Sequence, residues 1–77
     1  MNTQIYSYVF YNQKFDSHGR LILPLVPGDK VLTATAYSKD KDETRSCFIM
    51  NEYSKVTIWF PEADPIMTYQ VTLICPQ

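Results

Sequence analysis

The chain has 77 residues, 45% of them hydrophobic and 14% aromatic, and its formal net charge is -1. A chain of this length forms one small domain with a free energy of unfolding of about 4 to 12 kcal/mol, so association with further copies would stabilise it. Its seven Lys and Arg residues form no basic block, which excludes nucleic acid as a partner because phosphate binding needs clustered positive charge. No apolar run is long enough to insert into a membrane and the start lacks the features of a signal peptide, so we expect synthesis in the cytoplasm.

Alternation of Val, Ile, Thr, Tyr and Phe with a period of two recurs between turn signals and predicts β-strands. In chain order the predicted strands are QIYSYVFY, RLILPL, the run from Lys30 to Tyr37, RSCFIM, YSKVTIWF and IMTYQVTLIC. Pro24 places the second strand at a sheet edge or at a bulge, because proline cannot donate to a ladder. Pro27 and Gly28 form a turn after it. The sequence therefore predicts an all-β fold, a small antiparallel β-sandwich of about six strands, with residues 1–77 as a single domain.

Two of these strands have faces that the alternation separates. The first strand has an aromatic face of Tyr6, Tyr8 and Phe10, as an outer strand or an interface strand would have. In the third strand one predicted face carries small residues and is expected to pack closely; it consists of Leu32, Ala34 and Ala36. The opposite predicted face of that strand consists of Val31, Thr33, Thr35 and Tyr37.

No group of residues has the spacing of a catalytic site, so we expect no enzymatic activity and no cofactor. His18, the single histidine, lies in the turn sequence DSHG and is interpreted as a solvated turn residue and not a general base. Cys47 and Cys75 lie in apolar runs, which favours buried free thiols over a single disulfide. Three Cys and His residues far apart cannot hold zinc within one protomer.

The densest run of charge is KDKDE at residues 39–43, which we interpret as the solvated loop of a hairpin. A calcium loop that uses Asp40, Asp42 and Glu43 is the less favoured alternative, because two lysines are interleaved with the carboxylates. If the loop is a binding site, the side chains available to sugar hydroxyls are Lys39, Asp40, Asp42 and Arg45. The PEADP turn at residues 61–65 either adds to that site or lies at the opposite end of the sandwich.

Aromatic side chains are the other candidates for binding. The chain has six Tyr, four Phe and one Trp, and an aromatic ring with polar neighbours can contact the C–H surface of a sugar. Trp59 and Tyr53 are the candidate rings. Core packing or subunit contacts explain the same composition and are favoured on composition alone.

The order of strands and turns resembles a known family. LPLVPGDKVLTATAY, a polar hairpin, SCFIM, NEYSKVTIWF, a Pro-flanked turn and MTYQVTLICPQ resemble the C-terminal head domains of bacteriophage tail fibres and tailspikes, which are similar to the small sandwiches of H-type lectins. The resemblance covers about residues 22–77 and includes no diagnostic ligand motif. It implies a homotrimer of β-sandwiches in the virion tail that contacts bacterial surface polysaccharide during host attachment.

Three functions follow as hypotheses. The leading one is a non-enzymatic receptor-binding and trimerisation module of a phage adhesin. The alternative is a small phage accessory protein, either an anti-defence inhibitor or a fibre-assembly chaperone, that binds one protein partner. A capsule hydrolase would need Glu62 and Asp64 paired across a subunit cleft. Because Met1 comes with no fibre shaft before it, three origins stay open: an excised domain, a separately translated piece that co-assembles with a longer fibre chain, and an unrelated small phage protein.

Overall fold

A computed structural model describes residues 5–76 of the chain. These residues form seven β-strands: β1 (Ile5–Gln13), β2 (Arg20–Pro24), β3 (Thr33–Ser38), β4 (Glu43–Ser46), β5 (Phe48–Asn51), β6 (Lys55–Trp59) and β7 (Tyr69–Pro76). Gln4, with which the predicted first strand begins, lies outside the described residues. Within that range there is no helix of the length and apolarity needed to span a membrane.

The strands pair into two antiparallel sheets. The larger sheet has the order β1-β7-β3-β4 and the smaller one has the order β2-β6-β5. The predicted all-β sandwich is therefore confirmed. Pro24 ends β2, an edge strand of the smaller sheet, and this confirms the edge position that the missing N–H of proline predicts.

The core lies between the two sheets and consists of the inward-facing residues of each strand. The alternation is complete in β7, where every second residue from Tyr69 to Cys75 is buried. The largest side chains with almost no exposed surface are Val56, Ile58, Val71, Leu73 and Cys75. Each such aliphatic side chain contributes about 1.5 to 3 kcal/mol through the hydrophobic effect. Phe15, Phe60 and Tyr69 close one end of the core, in edge-to-face contacts with ring centroids 5.4 to 5.6 Å apart.

The predicted strand RSCFIM is two strands and not one. β4 pairs with β3 in the larger sheet, whereas β5 pairs with β6 in the smaller sheet. Cys47 lies between them, and its backbone N–H donates to the carbonyl of Ala34 at 2.9 Å. The extended chain passes from one sheet to the other along a side of the sandwich. The alternation of side chains in the sequence continues from β4 into β5, so a period of two residues gives no sign that the chain changes sheets at Cys47.

The predicted faces of the third strand are wrong at its start. Val31 is 2% exposed and Leu32 is 57% exposed, the reverse of the prediction, because the strand begins at Thr33. The side-chain amide of Asn51 takes the place of a strand partner at Val31. Its oxygen accepts from the Val31 N–H at 2.8 Å, and its nitrogen donates to the Val31 carbonyl at 3.1 Å.

Candidate ligand-binding surfaces

A groove of about 330 Å³ lies on the outer face of the larger sheet, at the end where β7 begins. Its lining residues are Tyr11, Asn12, Tyr37, Lys39, Thr68, Tyr69 and Gln70. Gln70 is central, since β7 lies between β1 and β3 and Tyr37 is the partner of Gln70 on β3. We call this site the Gln70 groove.

A β-bulge in β1 builds the other side of the Gln70 groove. Phe10 pairs with Val71 and Gln13 pairs with Tyr69, so two residues of β1, Tyr11 and Asn12, lie opposite the single residue Gln70. Asn12 has a φ of 57°, and Asn is among the residues that tolerate this left-handed conformation best. Bulges turn a side chain away from the regular pleat. Here the bulge brings Tyr11 and Asn12 together against Gln70.

The ring of Tyr37 is held in place by the charged hairpin. Its hydroxyl donates to Oδ1 of Asp42 at 2.9 Å, and this hydrogen bond raises the pKa of Tyr37 above its ordinary value of 10.0. Asp42 has a φ of 50° within the β3–β4 loop, a turn conformation that Asp tolerates. The KDKDE run is therefore the exposed hairpin loop that the sequence predicts, and one of its carboxylates supports the wall of the groove.

The second surface is apolar and lies on the outer face of the smaller sheet. Four side chains of this face are exposed, namely Ile22 (61%), Phe48 (63%), Met50 (65%) and Trp59 (42%). The strand register places Trp59 between Arg20 and Phe48, and Thr57 between Ile22 and Met50. A cleft of about 180 Å³ runs between Arg20, Phe48, Met50 and Trp59. We call this surface the Trp59 face.

The ring of Trp59 is fixed within that face. Its Nε1–H donates to the carbonyl of His18 at 3.1 Å, and its ring centroid lies 5.2 Å from that of Phe48. His18 is exposed in a turn, as the sequence predicts, and contributes its backbone. The indole therefore presents a fixed apolar surface to solvent.

The six candidate site residues lie in several places. Lys39 lines the Gln70 groove and Asp42 supports it, whereas Asp40 is exposed in the hairpin loop. Trp59 lies on the other sheet. Tyr53 is 76% exposed in the β5–β6 turn, at the end of β6 opposite to Trp59.

Arg45 lines a small cleft of about 40 Å³, together with Lys41, Glu43 and Glu62. The PEADP turn therefore lies at the same end of the sandwich as the charged hairpin. The Asp64 side chain is engaged elsewhere, because its Oδ1 accepts from the Ile66 N–H at 3.0 Å. Glu62 therefore lies beside the charged hairpin, whereas the Asp64 side chain stabilises the turn that contains it.

Six of the seven residues that line the Gln70 groove were missed by sequence reasoning: Tyr11, Asn12, Tyr37, Thr68, Tyr69 and Gln70. Tyr11 and Gln70 occupy ordinary alternating positions within predicted strands, and their juxtaposition depends on a register shift of one residue. The one signal in the sequence is Asn12 directly after a strand of aromatic and β-branched residues, since Asn favours positive φ.

Both cysteines are free thiols, as the sequence predicts, and Cys75 is fully buried while Cys47 is half-buried. Burial raises the pKa of Cys47 to about 11, so this thiol is protonated at neutral pH and a poor nucleophile. Among residues 5–76, no three His, Cys, Asp or Glu side chains are arranged to hold a metal ion. Glu43 pairs with Arg45 at 3.2 Å, which directs that carboxylate away from a calcium loop.

A tyrosine–carboxylate cluster predicts alkaline sensitivity. The Tyr8 hydroxyl donates to Oδ2 of Asp29 at 2.7 Å, and hydrogen bonding to Asp29 raises the pKa of both Tyr6 and Tyr8 above 10.0. Above that pH the unfolded chain loses these protons while the folded chain keeps them, so the stability they contribute is complete below pH 10.0 and is lost as pH rises. Urea unfolding from neutral to alkaline pH should show this loss. Asp29→Asn should reduce the pH dependence, and an unchanged dependence in that variant would contradict the assignment.

No protein-family model, curated protein sequence or solved structure matches this chain. The resemblance of the strand and turn order to phage fibre heads therefore stays a prediction.

Proposed function

We propose that this chain is a non-enzymatic recognition domain that binds carbohydrate in the Gln70 groove, as the receptor-binding head of a phage tail fibre or tailspike would. The observation that carries the proposal is the placement of two tyrosine rings, Tyr11 and Tyr37, on either side of a central amide. A sugar has apolar C–H faces and a polar edge of hydroxyls. An arrangement of rings around hydrogen-bonding groups complements both.

The polar groups of the groove can both donate to and accept from sugar hydroxyls. Asn12 and Gln70 each offer an amide oxygen that accepts and an amide nitrogen that donates, while the Thr68 hydroxyl can do both. Lys39 adds a donor with three N–H bonds. A volume of about 330 Å³ lies at the lower end of the range for small-molecule sites. The groove therefore fits a short part of a polysaccharide, such as one projecting unit of a bacterial surface chain.

The groove is partly prepared for binding before a ligand arrives. Tyr37 is fixed by Asp42, and the bulge fixes the backbone of Tyr11 and Asn12. Side chains that are already ordered lose less conformational entropy when a ligand binds. This supports recognition without a large conformational change.

Replacing Tyr11 by alanine tests the proposal. Tyr11 is 64% exposed, so its removal should leave the fold intact while one wall of the groove is lost. We expect glycan affinity to fall at least tenfold, since about 1.4 kcal/mol of ring contact corresponds to that factor. The measurement is calorimetric titration with oligosaccharides that first bind the parent chain on an array of bacterial capsule and lipopolysaccharide glycans.

The matched control is Tyr53→Ala. Tyr53 is also a highly exposed tyrosine, at 76%, but it lies at the far end of the sandwich and should not affect binding. Failure of the parent chain to bind any glycan on the array would contradict the proposed function. Loss of binding in the Tyr53 variant with retention in the Tyr11 variant would place the site elsewhere.

Self-association through the Trp59 face is a second candidate function, favoured by its four exposed apolar side chains. Apolar patches of this kind mark contact surfaces. The face carries opposite charges near its two ends. Arg20 lies beside Trp59, and Glu52 accepts a hydrogen bond from the Thr57 hydroxyl at 3.5 Å. Light scattering of the purified chain measures its mass in solution and tests this candidate. The expected species is a trimer of three 9.0 kDa chains. The alternative is that this face binds a single different protein partner.

A further inference from the structure

The charge of the Gln70 groove is carried by one residue. Of the described residues that line it, Lys39 has the one ionised side chain, and the other six are uncharged. No carboxylate within residues 5–76 pairs with Lys39, because the two ion pairs in that range are Arg45 with Glu43 and Lys55 with Glu52. The ammonium group is therefore available to a ligand.

The carboxylates of the hairpin do not line the groove. Asp42 is outside the lining, and its Oδ1 accepts from the Tyr37 hydroxyl at 2.9 Å. Asp40 is exposed and does not line the groove. Glu43 is paired with Arg45 at 3.2 Å. Lys39 is therefore the one charged side chain among the described residues that line the groove.

We infer that the Gln70 groove selects acidic glycans, with Lys39 binding an anionic substituent of the sugar that lies between Tyr11 and Tyr37. This inference rests on the proposed carbohydrate function and names its ligand class. The anionic group is a carboxylate of a uronic or other acidic sugar, or a phosphate on the sugar. A lysine ammonium serves either one as a compact point charge.

The expected size of the effect follows from the exposure of Lys39. A charge-assisted hydrogen bond is stronger than a neutral one, but an exposed ion pair is screened by water and salt. We expect an acidic oligosaccharide to bind roughly three- to tenfold more tightly than the same oligosaccharide without its charge. The preference should decrease as the salt concentration rises.

The experiment compares acidic oligosaccharides from bacterial capsules and lipopolysaccharides with chemically neutralised versions. Reduction of carboxylates to alcohols removes the uronate charge, and mild hydrogen fluoride removes phosphate, so the two treatments distinguish the two sources. Titrations use the parent chain, Lys39→Met and Lys41→Met. Lys41 belongs to the same hairpin loop but does not line the groove, so its variant has the same net charge as the Lys39 variant and serves as the matched control.

The expected result is that Lys39→Met loses the preference and binds the acidic and neutralised forms with equal affinity, while Lys41→Met keeps the preference of the parent chain. Equal affinity of the parent chain for the acidic and neutralised forms would overturn the inference and leave the carbohydrate function standing. An equal loss in both lysine variants would also overturn it, because net charge would then be responsible. Binding of no glycan in either form would contradict the proposed function itself.

Discussion

Replacement of Gly19 by alanine is expected to lower the free energy of unfolding by about 3 kcal/mol or more, a large part of the roughly 4 to 12 kcal/mol available to a chain of this size. Gly19 is buried and has a φ of 77°. A Cβ at this position would clash with the carbonyl oxygen of Phe60 and lie 2.9 Å from its carbonyl carbon. The neighbouring atoms belong to the backbone, so no side-chain movement can relieve the contact.

A hydrogen bond also connects the turn at Gly19 to Phe60, the residue that follows β6. The Phe60 N–H donates to the Gly19 carbonyl at 2.7 Å, and Phe60 packs against Phe15 and Tyr69 at the end of the core. Displacement of Phe60 by a new methyl group would therefore disturb both the hydrogen bond and the aromatic packing. This is why we expect a larger effect than backbone strain alone would give.

Gly28→Ala is the matched control for this prediction. Gly28 also has positive φ, at 90°, but a Cβ there would meet no atom within 4 Å. Its cost should be the strain of an L-residue in this conformation, about 1 to 2 kcal/mol. Urea unfolding monitored by the fluorescence of Trp59 measures both variants. Equal destabilisation in the two would contradict the clash with Phe60.

The all-β fold was predictable because period-two alternation and turn residues act locally. Pro24 identified an edge strand through its missing donor, and the sequence around Gly28 identified a turn through its positive φ. The passage of the chain from one sheet to the other at Cys47 was not predictable, because the side chains before and after it continue the same alternation. Which sheet a strand joins depends on long-range pairing, and no local pattern encodes it.

The candidate site was predicted less well than the fold. Lys39 and Asp42 were named as candidates because charge is visible in a sequence, and Trp59 because an aromatic ring can contact the C–H surface of a sugar. Their roles in binding stay predictions. The Gln70 groove was missed because its walls come from three strands, β1, β3 and β7. The bulge that turns Tyr11 is a shift in the pairing of β1 with β7, which the sequence of β1 alone does not show. The burial of Val31 was missed for a similar reason: its partner is a side-chain amide 20 residues away.

Met50→Asp is expected to weaken self-association through the Trp59 face at least 100-fold. Met50 is 65% exposed in the single chain, so a carboxylate there should leave the monomer folded. In an assembly the same carboxylate would be buried against apolar side chains without a partner, which costs several kcal/mol. A 100-fold change in association requires about 2.7 kcal/mol.

Ile66→Asp is the matched control. Among residues 5–76, Ile66 is the most exposed large apolar side chain at 80%, and it lies in the turn before β7, off the Trp59 face. Light scattering over a hundredfold range of concentration should show the same assembly for this variant and the parent chain, and a monomer for the Met50 variant. Dissociation of both variants would show that added negative charge, and not the Trp59 face, controls assembly. A parent chain that stays monomeric at millimolar concentration would contradict self-association. The exposed apolar face would then have to be covered by a different protein, as an accessory factor with one partner requires.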